Sequence, residues 1–320
     1  MDKKCFLGID TSNYTTSFAL VEEGRVIANL KAPLPVKEGE CGLRQSDALF
    51  AHVKNIPTLS ARLRSILGNK KPSAIGVSTR PRNVRGSYMP CFLGGVSSAE
   101  AIGAVLGVPV YSFSHQCGHL RAALYSSGKE DLIGKPFGAF HISGGTTEML
   151  YATPATNGFS VEIVGGTRDL NAGQLIDRIG VMLGLAFPCG IALEKLAEEN
   201  KLPPPRRKIS VSDGYVHLSG VENMAKKLFE DTGNAALCAD FVLDYVGNAV
   251  AAMSLALRQK YGEALPIVYA GGVMSNVKIR KMITGKMENT HFAEPAFSAD
   301  NAAGIALLTE ERYLSDRVAD

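Results

Sequence analysis

At 320 residues the chain exceeds what a single hydrophobic core usually supports, so two domains are expected, and 46% hydrophobic residues, 20% charged residues and 33 glycines describe a well-packed α/β protein with many tight turns. No run of eighteen apolar residues occurs, and the first five residues lead straight into a strand pattern, so neither a membrane span nor a secretory leader is expected and the expected location is cytoplasmic. The net charge of +3 permits a nucleic-acid partner through a local patch without arguing for one, and six scattered cysteines with no CxxC pair fit reduced thiols rather than a disulfide frame.

Residues 5–10 form an apolar strand ending in Asp10, residues 11–16 (Thr-Ser-Asn-Tyr-Thr-Thr) a polar turn, and residues 17–21 and 25–30 two returning strands. The result is a β-meander whose first turn is lined with hydroxyls. Such a turn can bond a phosphate, and Asp10 is suited to hold a metal or a water. Residues 46–67 carry apolar positions at helical spacing and stop at Gly68-Asn69, and residues 74–78 are a buried strand. Between 79 and 88 comes a loop with Arg80, Arg82 and Arg85, whose guanidinium forks suit phosphate or carboxylate. A small-residue helix over 94–106, a strand over 108–113 and a closing helix then give the first domain a βββαβαβα order.

His115 and His119 follow, four residues apart. In a helix they share one face, so both imidazoles can reach one metal ion, and Asp300, at the apparent start of the last helix, is the candidate third ligand. Ordinary half-buried histidines are the competing explanation of an isolated HxxxH. Gln116 stands where the glutamate base of HExxH would be, which argues against a peptidase.

The layout of the N-terminus recurs at 137–152: apolar strand, Ser143-Gly144-Gly145-Thr146-Thr147 turn, apolar strand. This repetition predicts two related halves, residues 1–135 and 136–320, each opening on a meander. Gly144 and Gly145 allow a backbone to approach phosphate oxygens closely. A helix is expected over 172–185, with Gln174 and Asp177 on one face, broken at Pro188-Cys189-Gly190. Residues 201–208 are a Pro-rich basic spacer containing Arg206, Arg207 and Lys208. After a long small-apolar helix over 235–261, the strand 266–270 closes on Gly271-Gly272, which is expected to run directly into a helix; Asn276 could bond a ribose hydroxyl or an adenine edge.

In their order along the chain, Gly8-Ile9-Asp10-Thr11-Ser12, His115-x-x-x-His119, Ser143-Gly144-Gly145, Asp177, Pro188-x-Gly190, Gly271-Gly272-Val273-x-x-Asn276 and Asp300-Asn301 resemble the tRNA threonylcarbamoyladenosine synthase family, formerly labelled O-sialoglycoprotein endopeptidase. The resemblance spans about residues 5–310. It implies an α/β two-domain fold of the actin, sugar kinase and heat-shock ATPase type, with a duplicated β-meander plus helices. It also implies one divalent metal, iron or zinc, on His115, His119 and Asp300. An adenine nucleotide (threonylcarbamoyl-adenylate, or ATP or AMP) is implied on Ile142, Ser143, Gly144, Gly145, Thr146, Asp177, Gly190, Gly271, Gly272 and Asn276. Asp10 and Ser143, the polar side chains at the two meander turns, are the catalytic candidates.

The implied reaction moves a threonylcarbamoyl group onto the exocyclic amine of the adenosine beside a tRNA anticodon. Family members act with partner subunits of related fold, and no membrane is involved. The chain departs from the family pattern at the first turn, where Asn13-Tyr14-Thr15-Thr16 lacks two acidic positions, at Thr146 in place of a histidine, at Glu222 in place of a lysine, and at the arginine loop, which replaces a short glycine-rich turn. Two alternatives follow from those departures: a paralogue acting on a small-molecule acceptor, and a non-catalytic nucleotide-binding partner subunit.

Overall fold

A computed structural model describes residues 3–12, 14–35, 43–156, 158–298 and 302–319. They fall into two compact units. The first comprises residues 1–125, 154–160 and 299–320; the second comprises 126–153 and 161–298. The C-terminal helix thus groups with the N-terminal residues, which a single cut between 135 and 136 does not provide for.

In the first unit, β1 (Cys5–Thr11), β2 (Thr15–Glu22) and β3 (Arg25–Pro33) make an antiparallel meander, and β4 (Pro72–Arg80) and β5 (Val110–Ser114) add in parallel on the other side of β1, giving the order β3-β2-β1-β4-β5. All seven residues of β1 are buried, as a strand covered on both faces must be. Successive residues face opposite sides of a strand. Gly8 abuts α10 (Ala303–Ala319), and Ile9 abuts Gly95 of α2 (Leu93–Leu106), so these helices cover opposite faces. On the Ile9 face, α1 (Gln45–Leu67) adds Leu59 and Leu63 to a core with Leu7, Phe18, Leu20, Ile75 and Val77.

The second unit repeats this topology. β6 (Phe137–Ile142), β7 (Thr147–Ala155) and β8 (Gly158–Thr167) form the meander, and β10 (Ile267–Ala270) and β11 (Thr290–Phe292) add in parallel beyond β6. Read from the meander outward, both sheets run third, second, first, fourth, fifth strand; the second unit carries only the two-residue β9 (Tyr215–Val216) besides. The duplication expected from the repeated strand-turn-strand layout is therefore present in the backbone. Phe140, Tyr269 and Phe292 stack across β6, β10 and β11 with ring centroids 5.2 and 4.8 Å apart, each contact contributing about 0.5–1.5 kcal/mol beyond area burial.

The centre of this unit is α7 (Ala235–Tyr261), apolar around most of its circumference and packed against α4 (Ala172–Met182), α5 (Gly190–Glu198), α6 (Ser219–Thr232) and α8 (Val277–Thr284). It is long and apolar enough to cross a membrane by length and composition, and 72% of that apolar stretch is buried inside the fold as a core helix.

Two local expectations are corrected. The helix expected over 172–185 ends at Met182, because Gly184 adopts φ +83 and turns the chain out. The Gly271-Gly272 strand end does not feed an α-helix directly: a 3-10 turn, Gly272–Ser275, intervenes, and α8 starts only at Val277.

Glu222, the reversed charge on α6, is paired with Arg178 of α4 at 3.0 Å and with Lys226 at 2.7 Å, so the reversal is balanced within the unit. The start of α6 is stapled by Asp169, whose carboxylate accepts the backbone N–H groups of Leu170, Leu218 and Ser219 and the Ser219 hydroxyl. Burial opposes its charge, but those donors outweigh burial and hold the carboxyl well below the usual range. A carboxyl depressed in the folded state stabilises above its unfolded value of about 3.9 and loses that contribution as pH falls through the folded value. Asp169→Ala is expected to cost about 1–3 kcal/mol at pH 7 in urea unfolding, with the gap to the parent protein narrowing below about pH 4.

Candidate active site

In the first unit the parallel strands β1, β4 and β5 deliver Asp10-Thr11-Ser12, Ser78-Thr79-Arg80 and Ser114-His115 to one edge, the carboxyl ends where open α/β sheets bind ligands. Asp10 is fully buried, and its Oδ1 accepts from the Ser78 hydroxyl and from His115 Nδ1 at 2.9 Å. That second bond selects the His115 tautomer: with Nδ1 carrying the proton, Nε2 presents a lone pair. His115 opens α3 (His115–Ser126), and its Nε2 lies 2.8 Å from Nε2 of His119 one turn on. The two nitrogens face each other at hydrogen-bond distance, close enough for both imidazoles to serve one ion, and a carboxylate behind the leading imidazole is the usual support of a metal histidine. These side chains fit a borderline divalent ion such as zinc or iron(II).

Among the described residues no third His, Cys, Asp or Glu joins this pair in a metal-binding group, and Asp300, the expected third ligand, lies outside the described residues, as do Asn13 and Asn301. Asp10 itself supports His115 through the bonds above and is a positioning residue in this arrangement.

In the second unit, β6 and β10 are adjacent and parallel, so Ser143-Gly144-Gly145-Thr146 and Gly271-Gly272 emerge side by side. Ser143 N–H closes the first turn on Thr146 O at 2.8 Å, and Asn171 donates to Gly145 O at 3.0 Å. The entry of α4 rests on this turn: a Cβ at Gly173 would sit 2.6 Å from Gly144 N. Asp177, one turn along α4, accepts Cys189 N–H at 2.8 Å and so fixes the start of α5 at Gly190; burial raises its carboxyl above the ordinary value, the Cys189 bond working the other way. Glu194 of α5 accepts Val277 N–H at 2.6 Å. These contacts tie the Ser143–Thr146 turn to the entry of α4, Asp177 to the start of α5, Glu194 to the start of α8, and Gly271 to Ile142.

Asn276 is only partly available. Its side-chain oxygen caps α8 by accepting Ile279 N–H at 2.9 Å, which leaves its amide nitrogen for any ligand. The glycines divide into two kinds. Gly144, Gly145, Gly190 and Gly272 have open space where a Cβ would go, so the protein's own packing does not demand glycine there, whereas Gly271, at φ +99, has the carbonyl of Ile142 in that place. Beside Glu194 and Val277 opens a cavity of about 490 Å³, within the range of about 300–1,000 Å³ common for small-molecule sites. Glu194, Glu198, Asn200, Asp240, Lys278 and Lys281 supply its polar lining.

Three supporting residues escape a sequence reading. Ser78 carries a signal in retrospect, a hydroxyl at the carboxyl end of a buried parallel strand. His52, fully buried on α1, sits at helical spacing from Ile56 and Leu59, where a polar residue on an apolar face asks for a partner. It finds Thr16 Oγ1 at 2.8 Å from Nδ1; Thr16 in turn accepts from Asn55, and burial pushes the imidazole pKa below its ordinary value. Glu194 is the third, one helical turn beyond Gly190.

Two repeated β-meander units with ligand edges at their strand ends define an α/β protein of the actin, sugar kinase and heat-shock ATPase type. The full-length HypF structure in its phosphate- and nucleotide-bound form superposes with a TM-score of 0.62 over 99% of this chain at 11% identity. The chain spans 47% of that protein's length. A ROK family glucokinase from Streptomyces griseus, in complex with glucose and AMPPNP, aligns at a TM-score of 0.50 and 12% identity over 97% of this chain and 99% of its own. At the level of sequence, the family model for tRNA N6-adenosine threonylcarbamoyltransferase matches residues 41–307, and the chain belongs to that family. Proteins so named are 28% identical in Carboxydothermus hydrogenoformans, over 99% of this chain and 94% of the relative, and 31% identical in Thermus thermophilus, over 96% and 92%.

Proposed function

We propose that this protein transfers a threonylcarbamoyl group from threonylcarbamoyl-adenylate to the exocyclic amine of the adenosine beside a tRNA anticodon. In that reaction the amine attacks the carbamoyl carbon, the bond from that carbon to the phosphate oxygen breaks, AMP leaves and the amine gives up a proton. The observation that carries the metal-dependent form of this reading is the pair of Nε2 atoms of His115 and His119, 2.8 Å apart, with Asp10 bound behind His115. His115 and His119, with Asp300 as the expected third ligand, would hold iron or zinc, which supplies a Lewis acid for the carbamoyl or phosphate oxygens.

The protein's own residues bind and orient. Ser143 and the bare amides of Gly144 and Gly145 suit the phosphate, and Gly190, Gly272 and the amide nitrogen of Asn276 border the space for the nucleoside. The four glycines that the packing does not require support this division. Asp177 acts through the turn it braces at Cys189. No side-chain nucleophile is needed, because positioning and charge neutralisation carry the transfer. The cytoplasm is the compartment in which this reaction would proceed.

The test is transfer itself: protein, unmodified tRNA and threonylcarbamoyl-adenylate formed in situ, with modified adenosine measured by mass spectrometry of the digested nucleosides. Modified adenosine that disappears with a chelator and returns with zinc or iron(II) is the expected outcome. AMP release without any modified nucleoside would favour a small-molecule acceptor, while nucleotide binding without turnover would favour the partner-subunit alternative.

A further inference from the structure

We propose that the cavity between α5 and α8 in the second unit is a binding site for a free α-amino acid with an aliphatic side chain, its ammonium group received by Glu198 and its carboxylate by Lys281. The proposal stands apart from the transferase reading: it concerns a different ligand and uses none of the residues assigned there to phosphate or nucleoside.

The cavity, about 490 Å³, has two helical walls. Glu194 and Glu198, one turn apart, belong to α5, and Lys278 and Lys281, on one face of the next helix wall, belong to α8. Both walls pack on α7, which supplies Asp240 and Leu243 from below.

Two ties set the width of this groove. At one end Glu194 accepts Val277 N–H at 2.6 Å, which fastens the first turn of α8 to α5. At the floor the Asp240 carboxylate, buried, gives one oxygen to the Lys278 ammonium and the other to Asn200, which donates at 2.8 Å. Asn200 follows the end of α5, so the second tie runs from α5 across α7 to α8. The spacing of the walls is thus fixed by backbone and buried groups, not by the side chains at the rim.

The charges that line the groove divide into satisfied and free. Asp240 and Lys278 neutralise each other. Glu194 has the Val277 N–H and faces the Arg280 guanidinium, whose hydrogen bonds go to the carbonyls of Met274 and Ala293. Glu198 and Lys281 remain. Both line the cavity, both are exposed, and neither side chain makes a hydrogen bond or ion pair among the described residues, with each other or with anything else. A lone anion or a lone cation would answer one of them and leave the other. An α-amino acid carries ammonium and carboxylate on a single carbon and answers both with charge-assisted hydrogen bonds. Between the two charges the surface is apolar: Ala197 and Leu243 are buried and Met282 is half-buried, which suits an aliphatic side chain.

The experiment is isothermal titration of the full chain with L-leucine, L-valine and L-methionine, each also in its N-acetyl form, which lacks the ammonium charge, and as its methyl ester, which lacks the carboxylate. At least one free amino acid should bind at one site per chain, and its two blocked forms should bind at least about 10-fold more weakly. Glu198→Gln and Lys281→Gln should each lower the affinity for the free amino acid on the order of 10- to 100-fold. Their pairing with the blocked ligands fixes the orientation: Glu198→Gln should leave the weak binding of the N-acetyl form unchanged, and Lys281→Gln that of the ester. Lys195→Gln, on α5 outside the cavity, should bind as wild type. Circular dichroism melts check that each variant is folded.

No heat of binding and no rise in melting temperature with about 10 mM of any of the three amino acids overturns the proposal. Equal losses in Lys195→Gln and the cavity variants do the same, and so does displacement of the bound amino acid by AMP, which would make the cavity part of the nucleotide space. A protein that binds the amino acid and modifies no tRNA upholds the cavity and sinks the transferase. Modification of tRNA by a protein that binds none of the three does the reverse.

Discussion

His119→Ala should strip the protein of its divalent metal and lower transfer by on the order of 1,000-fold, because it removes one of two imidazole nitrogens that converge at 2.8 Å and leaves a single ring to hold the ion. Elemental analysis is the primary readout: wild type should carry close to one iron or zinc per chain and the variant a small fraction of that. A second readout needs no substrate. Added zinc should raise the melting temperature of wild type through binding to the folded state and leave His119→Ala unmoved. Asp10→Asn should be milder, weakening metal retention by about 10–100-fold, since an amide cannot hold the Nδ1 proton of His115 as a carboxylate does. Full metal occupancy in His119→Ala would show that the pair is an ordinary buried contact and would remove the metal from the mechanism.

Gly271→Ala should destabilise the second unit by about 3–5 kcal/mol, among the larger effects of a single methyl group. Two causes add. Gly271 has φ +99 and ψ 158, a region essentially closed to residues with a side chain, and its added Cβ would collide with the carbonyl oxygen of Ile142 on the neighbouring strand. Gly272→Ala is the control next door. Its Cβ would meet nothing within 4 Å, so stability should stay within about 0.5 kcal/mol, whereas AMP affinity should fall by roughly 10-fold if that backbone faces a nucleotide. Urea unfolding gives the first quantity and isothermal titration with AMP the second. A Gly272→Ala protein with native AMP affinity would take that turn out of the binding surface.

Both predictions draw on features that differ in how far they can be read from the chain. His115 and His119 are visible as a pair because helix geometry puts residues four apart on one face wherever the helix lies. Their partner Asp10 lies 105 positions away. Only the parallel pairing of β1, β4 and β5, which brings three strand ends to one edge, shows that Asp10 faces His115 and that Ser78 shares its Oδ1. The same holds in the second unit, where Gly144, Gly145, Gly271 and Gly272 look alike as letters. The neighbours a Cβ would meet distinguish them, and those neighbours come from other strands.

The elements themselves were largely legible. The first seven, β1 to β5 with α1 and α2, follow from alternation and helical spacing, which are properties of consecutive residues. Where local reading went astray, at the end of α4 and at the turn before α8, the deciding facts were a left-handed Gly184 and a capping Asn276, whose weight depends on where the chain must go next. The grouping of α10 with the first unit was beyond reach, because no local pattern says which of two similar sheets a C-terminal helix will cover.

By itself, then, the sequence determined the repeated strand-turn-strand plan, the histidine pair on one helix face and the glycine turns, since each is written in spacings of a few residues. The tertiary structure alone decided that Asp10 orients His115, that Asp177 braces Gly190, that Asn276 spends its oxygen on a helix cap and that the arginine loop abuts the histidine helix, Pro81 O accepting the N–H of Gln116. Each of those is a contact between segments distant in sequence or a hydrogen bond with a competing use, and burial and geometry choose among such partners in ways that residue order does not encode locally.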